Sequence, residues 1–159
     1  MASTSFHYAP DIERVFAFVS DPDEVKKRCE ALGDMNVRMS STSDGGIKTV
    51  TSTREVEMDL PAFAKKILKP RNTVVEVKAW KDEGEAKTCR FDVDVHGTPV
   101  TVKGRIRITP EAKGGCTYAI DFDAHAKVPL IGKKLEQFVE KSTLEGMKEE
   151  YEYNARTMG

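Results

Sequence analysis

Apolar residues recur along this chain with two different periods, and the switches between them predict the order of elements. Thr4 to Tyr8 alternates, with Phe6 and Tyr8 on one face, as a half-buried strand does. Pro10-Asp11 stops that strand and caps a helix over Ile12 to Val19. Ser20-Asp21-Pro22 starts a second helix at once: a capping side chain precedes a first-turn proline, Asp23 and Glu24 favour the positive end of the helix dipole, and Gly33 closes it.

From Met35 to Lys127 the period falls to two, and six further strands are expected. Met35, Val37 and Met39 alternate with polar residues, and Asp44-Gly45-Gly46 turns. Ile47 to Met58 mixes threonines and apolar residues so evenly that its faces stay unassigned. In the fourth strand Val75 and Val77 take the apolar side and Glu76 and Lys78 the polar one, which leaves Trp80 on the polar parity. The last three strands are regular. Cys89, Phe91, Val93 and Val95 alternate with Arg90, Asp92 and Asp94; Gly97-Thr98-Pro99 turns; Val100, Val102, Ile106 and Ile108 follow; Gly114-Gly115 turns; Tyr118, Ile120 and Phe122 complete a meander with one apolar and one charged face.

After Val128-Pro129 the period returns to that of a helix, up to about Arg156. Its stripe is Ile131, Leu135, Phe138, Val139, Leu144, Met147 and Tyr151. At 1.5 Å per residue such a helix is about 40 Å long, enough to cross the sheet. The implied class is α+β, in a single domain over 1–159.

Charge removes some function classes. Twenty-five Lys and Arg against 26 Asp and Glu leave a net charge of -1, which argues against a nucleic-acid binder. The longest aliphatic and aromatic run, Val15 to Val19, is far too short to span a bilayer, and a cytosolic protein is expected. Cys29, Cys89 and Cys116 lack CxxC spacing, and Cys89 and Cys116 fall on the apolar side of strands, where a free thiol acts as a small hydrophobe, so no metal centre or cofactor is expected. His7, His96 and His125 fall on the outward parity of three strands.

Catalytic chemistry finds little support. Asp92, Asp94, Asp121 and Asp123 resemble paired acids, but the hairpin register expected here places Asp92 and Asp121 on either side of Lys103, in water. No nucleophile elbow or phosphate loop is present, and only Tyr118 and Glu55 offer weak inward acid or base groups. Two other features are more informative. Gly104 interrupts an apolar strand face, and Ser142 and Gly146 interrupt the helix stripe after Phe138. These small residues serve either close packing or a cavity floored by the sheet and roofed by the helix. In Leu60 to Arg71, Leu60, Phe63, Ala64, Ile67 and Leu68 fall at helical spacing beside Lys65, Lys66, Lys69 and Arg71. That suits a connecting helix, or a lid or surface that makes transient contact with an anionic membrane.

The element order resembles the helix-grip fold of the START and birch-pollen-allergen-like (SRPBCC) superfamily. Within it the chain is similar to a bacterial-type branch of unknown function. The residues that carry this are Phe18-Val19-Ser20-Asp21, Leu60-Pro61-Ala62-Phe63, Trp80, Gly97-Thr98-Pro99-Val100 and Val128 to Glu136. The resemblance spans nearly the whole chain. It implies a curved seven-stranded antiparallel sheet gripping the C-terminal helix, with two short helices after the first strand. It also implies a cavity of the kind that holds lipids, sterols or aromatic metabolites in relatives.

The expectation is therefore a noncatalytic binder or carrier of a hydrophobic small molecule. The sheet would contribute Phe91, Val93, Val102, Gly104, Ile106, Tyr118, Ile120 and Phe122; the helix would contribute Leu135, Phe138, Ser142 and Gly146. Tyr118 and Ser142 would orient the ligand. An enzyme acting on a sequestered metabolite and an interaction module using residues 60–71 are the alternatives.

Overall fold

Asp11 and Asp21 each sit in extended backbone and accept a hydrogen bond from the first turn of a helix, at Arg14 N and Asp23 N, so each short helix starts where a carboxylate satisfies a free N–H. In the computed structural model, which describes residues 1–159, these are α1 (Ile12–Val19) and α2 (Pro22–Ala31). They follow β1 (Ala2–Tyr8). Then come β2 (Met35–Asp44), β3 (Ile47–Glu57), β4 (Arg71–Asp82), β5 (Lys87–Val95), β6 (Val100–Pro110) and β7 (Cys116–Ala126), and α3 (Gly132–Met158) ends the chain.

The seven strands form one antiparallel sheet in the order β1-β7-β6-β5-β4-β3-β2, so the N-terminal strand closes one edge beside β7 while β2 to β7 run as a meander. This is the α+β helix-grip architecture. Helix α3 packs mainly on β7 and β1, at that edge. Its C-terminal half is fixed there by Tyr151, whose ring stacks on Phe6 at 4.6 Å and whose hydroxyl donates to the His7 carbonyl at 2.8 Å. Arg14 on α1 donates to the Met158 carbonyl at 2.5 Å. Three apolar clusters follow: one under β1, β7, β6 and α1 that includes Trp80 and Phe122, a second around Leu60, Ala64, Leu68, Val100 and Leu135, and a small third of Val25, Cys29 and Val37 between α2 and β2.

Several expectations change. The faces of β4 are the reverse of those the valines suggest. Asn72, Val74 and Trp80 are buried on the concave side, which carries Glu76 and Lys78 inward with them and leaves Val75 and Val77 on the other side. The parity of Trp80 is thus accounted for: a residue 1% exposed fixes the face, and the charged pair comes with it. The ambiguous β3 places Val50, Ser52 and Arg54 inward, and the irregularity in this hairpin lies in β2, between Met35 and Arg38. Glu55, on the opposite parity, accepts from Asn36 at the surface and does not face the interior.

On the outer face Lys103 stands opposite Asp92 and Asp123, while Asp121 pairs with Arg105, a shift of two residues from the expected hairpin. The acids remain exposed or half-buried ladder partners, with Lys103 to Asp92 at 3.7 Å. His96 follows β5 in a turn instead of lying in a strand. Residues 60–71 contain a single 3-10 turn at Ala64–Lys66, not an amphipathic helix. Leu60, Ala64 and Leu68 are buried and Lys65, Lys66 and Lys69 exposed, so the segment closes one end of the sheet. No helix is long and apolar enough to cross a membrane.

Candidate functional site

Because α3 lies over the β1 edge, its middle stands clear of β3 to β6. There a cavity of about 580 Å³ opens between sheet, α2 and α3, within the usual range for a small-molecule site. One part of its wall is aliphatic and aromatic, from Val74, Val93, Val95, Val100 and Val102 on the sheet with Phe138 and Val139 on α3. The other part is charged: Arg28 on α2, Asp34 after it, Arg54 and Glu76 on neighbouring strands, and Glu150 on α3.

The charged wall is a network. Arg54 Nε lies 3.0 Å from Asp34 Oδ2, and its terminal nitrogen lies 3.4 Å from Glu76 Oε1 and 2.6 Å from Ser52 Oγ. Arg28, only 5% exposed at its side chain, meets Glu150 at 2.8 Å, which clasps α2 to α3 across the cavity mouth. Burial alone would push the Glu76 carboxyl up, but Lys78, Arg54 and Arg28 outweigh it and hold the group down at about 2. Burial prevails at Asp34 against Arg54, and its carboxyl is raised. Both guanidiniums stay charged, because the carboxylates around them exceed the cost of burial.

Of the residues expected to line a ligand site, Phe91, Val93, Val102, Phe138, Ser142 and Gly146 border this cavity. Gly146 has nothing within 4 Å of the position its Cβ would take, and exposed Ser142 stands at the mouth. Ile106, Tyr118 and Ile120 border a smaller adjoining pocket instead. Gly104, Phe122 and Leu135 reach neither space. Gly104 serves close packing, since a Cβ there would stand 2.6 Å from Phe91 Cζ, and Phe122 and Leu135 are fully enclosed by the two larger clusters. Burial also accounts for the thiols: it pushes Cys89 up to about 12 and Cys116 to about 11.

Sequence reasoning missed Arg28, Asp34, Arg54, Glu76, Lys78 and Glu150. A signal existed for two of them. Glu76 and Lys78 share the parity of Trp80, and an indole has far more apolar area to bury than a valine, which suits either face of a sheet. For Arg28 and Glu150 no pattern along the chain indicates that two separate helices will meet.

A family model described as protein of unknown function, DUF2505, matches residues 3–157. The chain belongs to the DUF2505 family. No curated protein matches this DUF2505 chain. Solved structures do share its fold. A conserved protein from Geobacillus kaustophilus superposes with a TM-score of 0.55 at 14% identity, covering 98% of this chain and 95% of that one. A norcoclaurine synthase point mutant from Thalictrum flavum, in complex with a transition-state analogue, gives 0.57 at 15% identity over 99% and 95%. The same enzyme with dopamine and hydroxybenzaldehyde gives 0.55 at 14% over 99% and 84%. At such identities the likeness concerns the fold, and function has to be argued from this chain's own site.

Proposed function

We propose that this DUF2505 protein binds a small molecule, largely hydrophobic, in the cavity between sheet and α3, and does so without transforming it. The observation that carries this reading is a cavity of about 580 Å³ with an apolar wall facing a charged one, in which Arg28 and Arg54 are outnumbered by carboxylates. Apolar area is worth about 25 cal/mol per Å² on burial, so a ligand covering the valines and Phe138 gains several kcal/mol before ordering costs. The charged wall would orient a polar end. Norcoclaurine synthase, which shares the fold, holds dopamine and hydroxybenzaldehyde.

Interior charge also motivates the enzymatic alternative, but its chemistry points away from proton transfer. A carboxylate held as low as Glu76 is a poor base near neutral pH, and Tyr118, pushed well above its ordinary value by burial, keeps its proton. Both suit fixed hydrogen-bonding partners.

Native mass spectrometry after mild purification, together with Nile red titration, tests the proposal. Co-purified small molecule or 1:1 dye uptake is expected, and Gly146→Phe, which projects a ring into the space, should abolish uptake while the protein still unfolds cooperatively. Bare protein with no uptake, or uptake that Gly146→Phe leaves intact, overturns it.

A further inference from the structure

A second pocket, of about 30 Å³, adjoins the large cavity, and Arg28, Glu76, Phe91, Met147 and Glu150 border both. That volume holds a single water or the polar end of a larger molecule. Its deeper wall carries Tyr8, Lys78, Tyr118 and Asn154.

Hydrogen-bonding capacity there is left over. Asn154, 4% exposed, donates from Nδ2 to the Tyr8 hydroxyl at 3.2 Å, yet its Oδ1 is buried without a partner. Tyr118, 8% exposed, also borders the pocket, and burial keeps its hydroxyl protonated and able to donate. Lys78 points inward from β4 beside Glu76, whose carboxyl it helps to hold down, and its ammonium has donors to spare. One buried acceptor without a partner, Asn154 Oδ1, and two side chains able to donate, Tyr118 and Lys78, therefore border one small space, where the unmatched oxygen is costly.

Charge decides between candidate groups. Arg28 and Lys78 balance Glu76 and Glu150 around this pocket, so neither a carboxylate nor an ammonium finds an excess of opposite charge. A neutral carbonyl accepts but cannot donate to Asn154 Oδ1. A hydroxyl does both.

We propose that the small pocket is a hydroxyl subsite: it seats the alcohol or phenol end of a ligand whose apolar body occupies the larger cavity, accepting from Tyr118 and Lys78 and donating to Asn154. This deepens the binding function proposed above and rests on it. Isothermal titration of the full chain with 2-naphthol, its methyl isostere 2-methylnaphthalene and 2-naphthoate separates the two. The wild-type protein should bind 2-naphthol at least about tenfold more tightly than 2-methylnaphthalene, although the methyl compound is the more hydrophobic, and 2-naphthoate should be the weakest. Tyr118→Phe should cut the preference to about threefold or less while changing 2-methylnaphthalene affinity by less than about twofold. Lys78→Met provides the same readout should Tyr118→Phe not fold. Equal or tighter binding of 2-methylnaphthalene, tighter binding of 2-naphthoate, or a preference unchanged in the variants overturns the hydroxyl assignment while the cavity reading stands. If no probe binds, both fall.

Discussion

The ring of Phe91 lies over Gly104, its cross-strand partner on β6, so closely that a Cβ on Gly104 would come 2.6 Å from Phe91 Cζ. The glycine lets an aromatic side chain of the cavity wall rest flat on the neighbouring strand. In Gly104→Ala the ring can swing into the cavity, but the new methyl also meets the Asp121 carbonyl oxygen, which is backbone and cannot yield. A loss of about 2 to 3 kcal/mol in urea unfolding is expected, with weaker Nile red uptake.

Gly146 should behave in the opposite way. It is helical, faces open space, and has nothing for an added methyl to strike. Gly146→Ala is expected to stabilise the protein by up to about 1 kcal/mol through helix propensity, measured by the same unfolding titration. A destabilised variant would mean that the helix lies closer to the sheet than described.

Glu76 gives the molecule an acid-sensitive component. Its carboxyl titrates at about 2 when folded against an ordinary 4.5, so its contribution to stability is fully present above pH 4.5 and is lost as pH falls from there towards 2. Glu76→Gln should cost about 2 to 3 kcal/mol near neutral pH, less than stranding a lone buried charge, because Asp34 and Glu150 still face the two arginines. Denaturation at pH 6, 4 and 3 should show wild type and variant converging as the pH drops; a constant gap would contradict the assignment.

The three thiols should differ in access. Cys89 and Cys116 are buried and held at about 12 and 11, so Ellman's reagent at pH 8 should reach them only after denaturation. Cys29, also raised by burial, borders the cavity. It should react first in the native protein, slowly, and more slowly still once Nile red is bound. Simultaneous release of all three would indicate global opening.

Much of this was legible along the chain. Alternation and turn residues define β5 to β7, and carboxylate caps with a first-turn proline define α1 and α2, because these features depend on neighbours a few residues away. The apolar stripe identifies α3 and its sheet-facing side. Alternation in β4, by contrast, establishes that the strand has two faces without naming the buried one, since Glu76 and Lys78 can occupy the concave side only if charges from β3, α2 and α3 arrive to balance them.

Sequence periodicity thus determined the seven strands, the three helices and their order, which follow from local backbone and burial preferences, while the helix-grip class was implied by the resemblance that this order carries. Where α3 would rest, how much space it would leave, and that Arg28, Arg54, Glu76 and Glu150 would share one interior wall were decided by tertiary packing alone. Ion pairs and empty volume depend on distances between segments far apart in the chain, and no period within a segment encodes those distances.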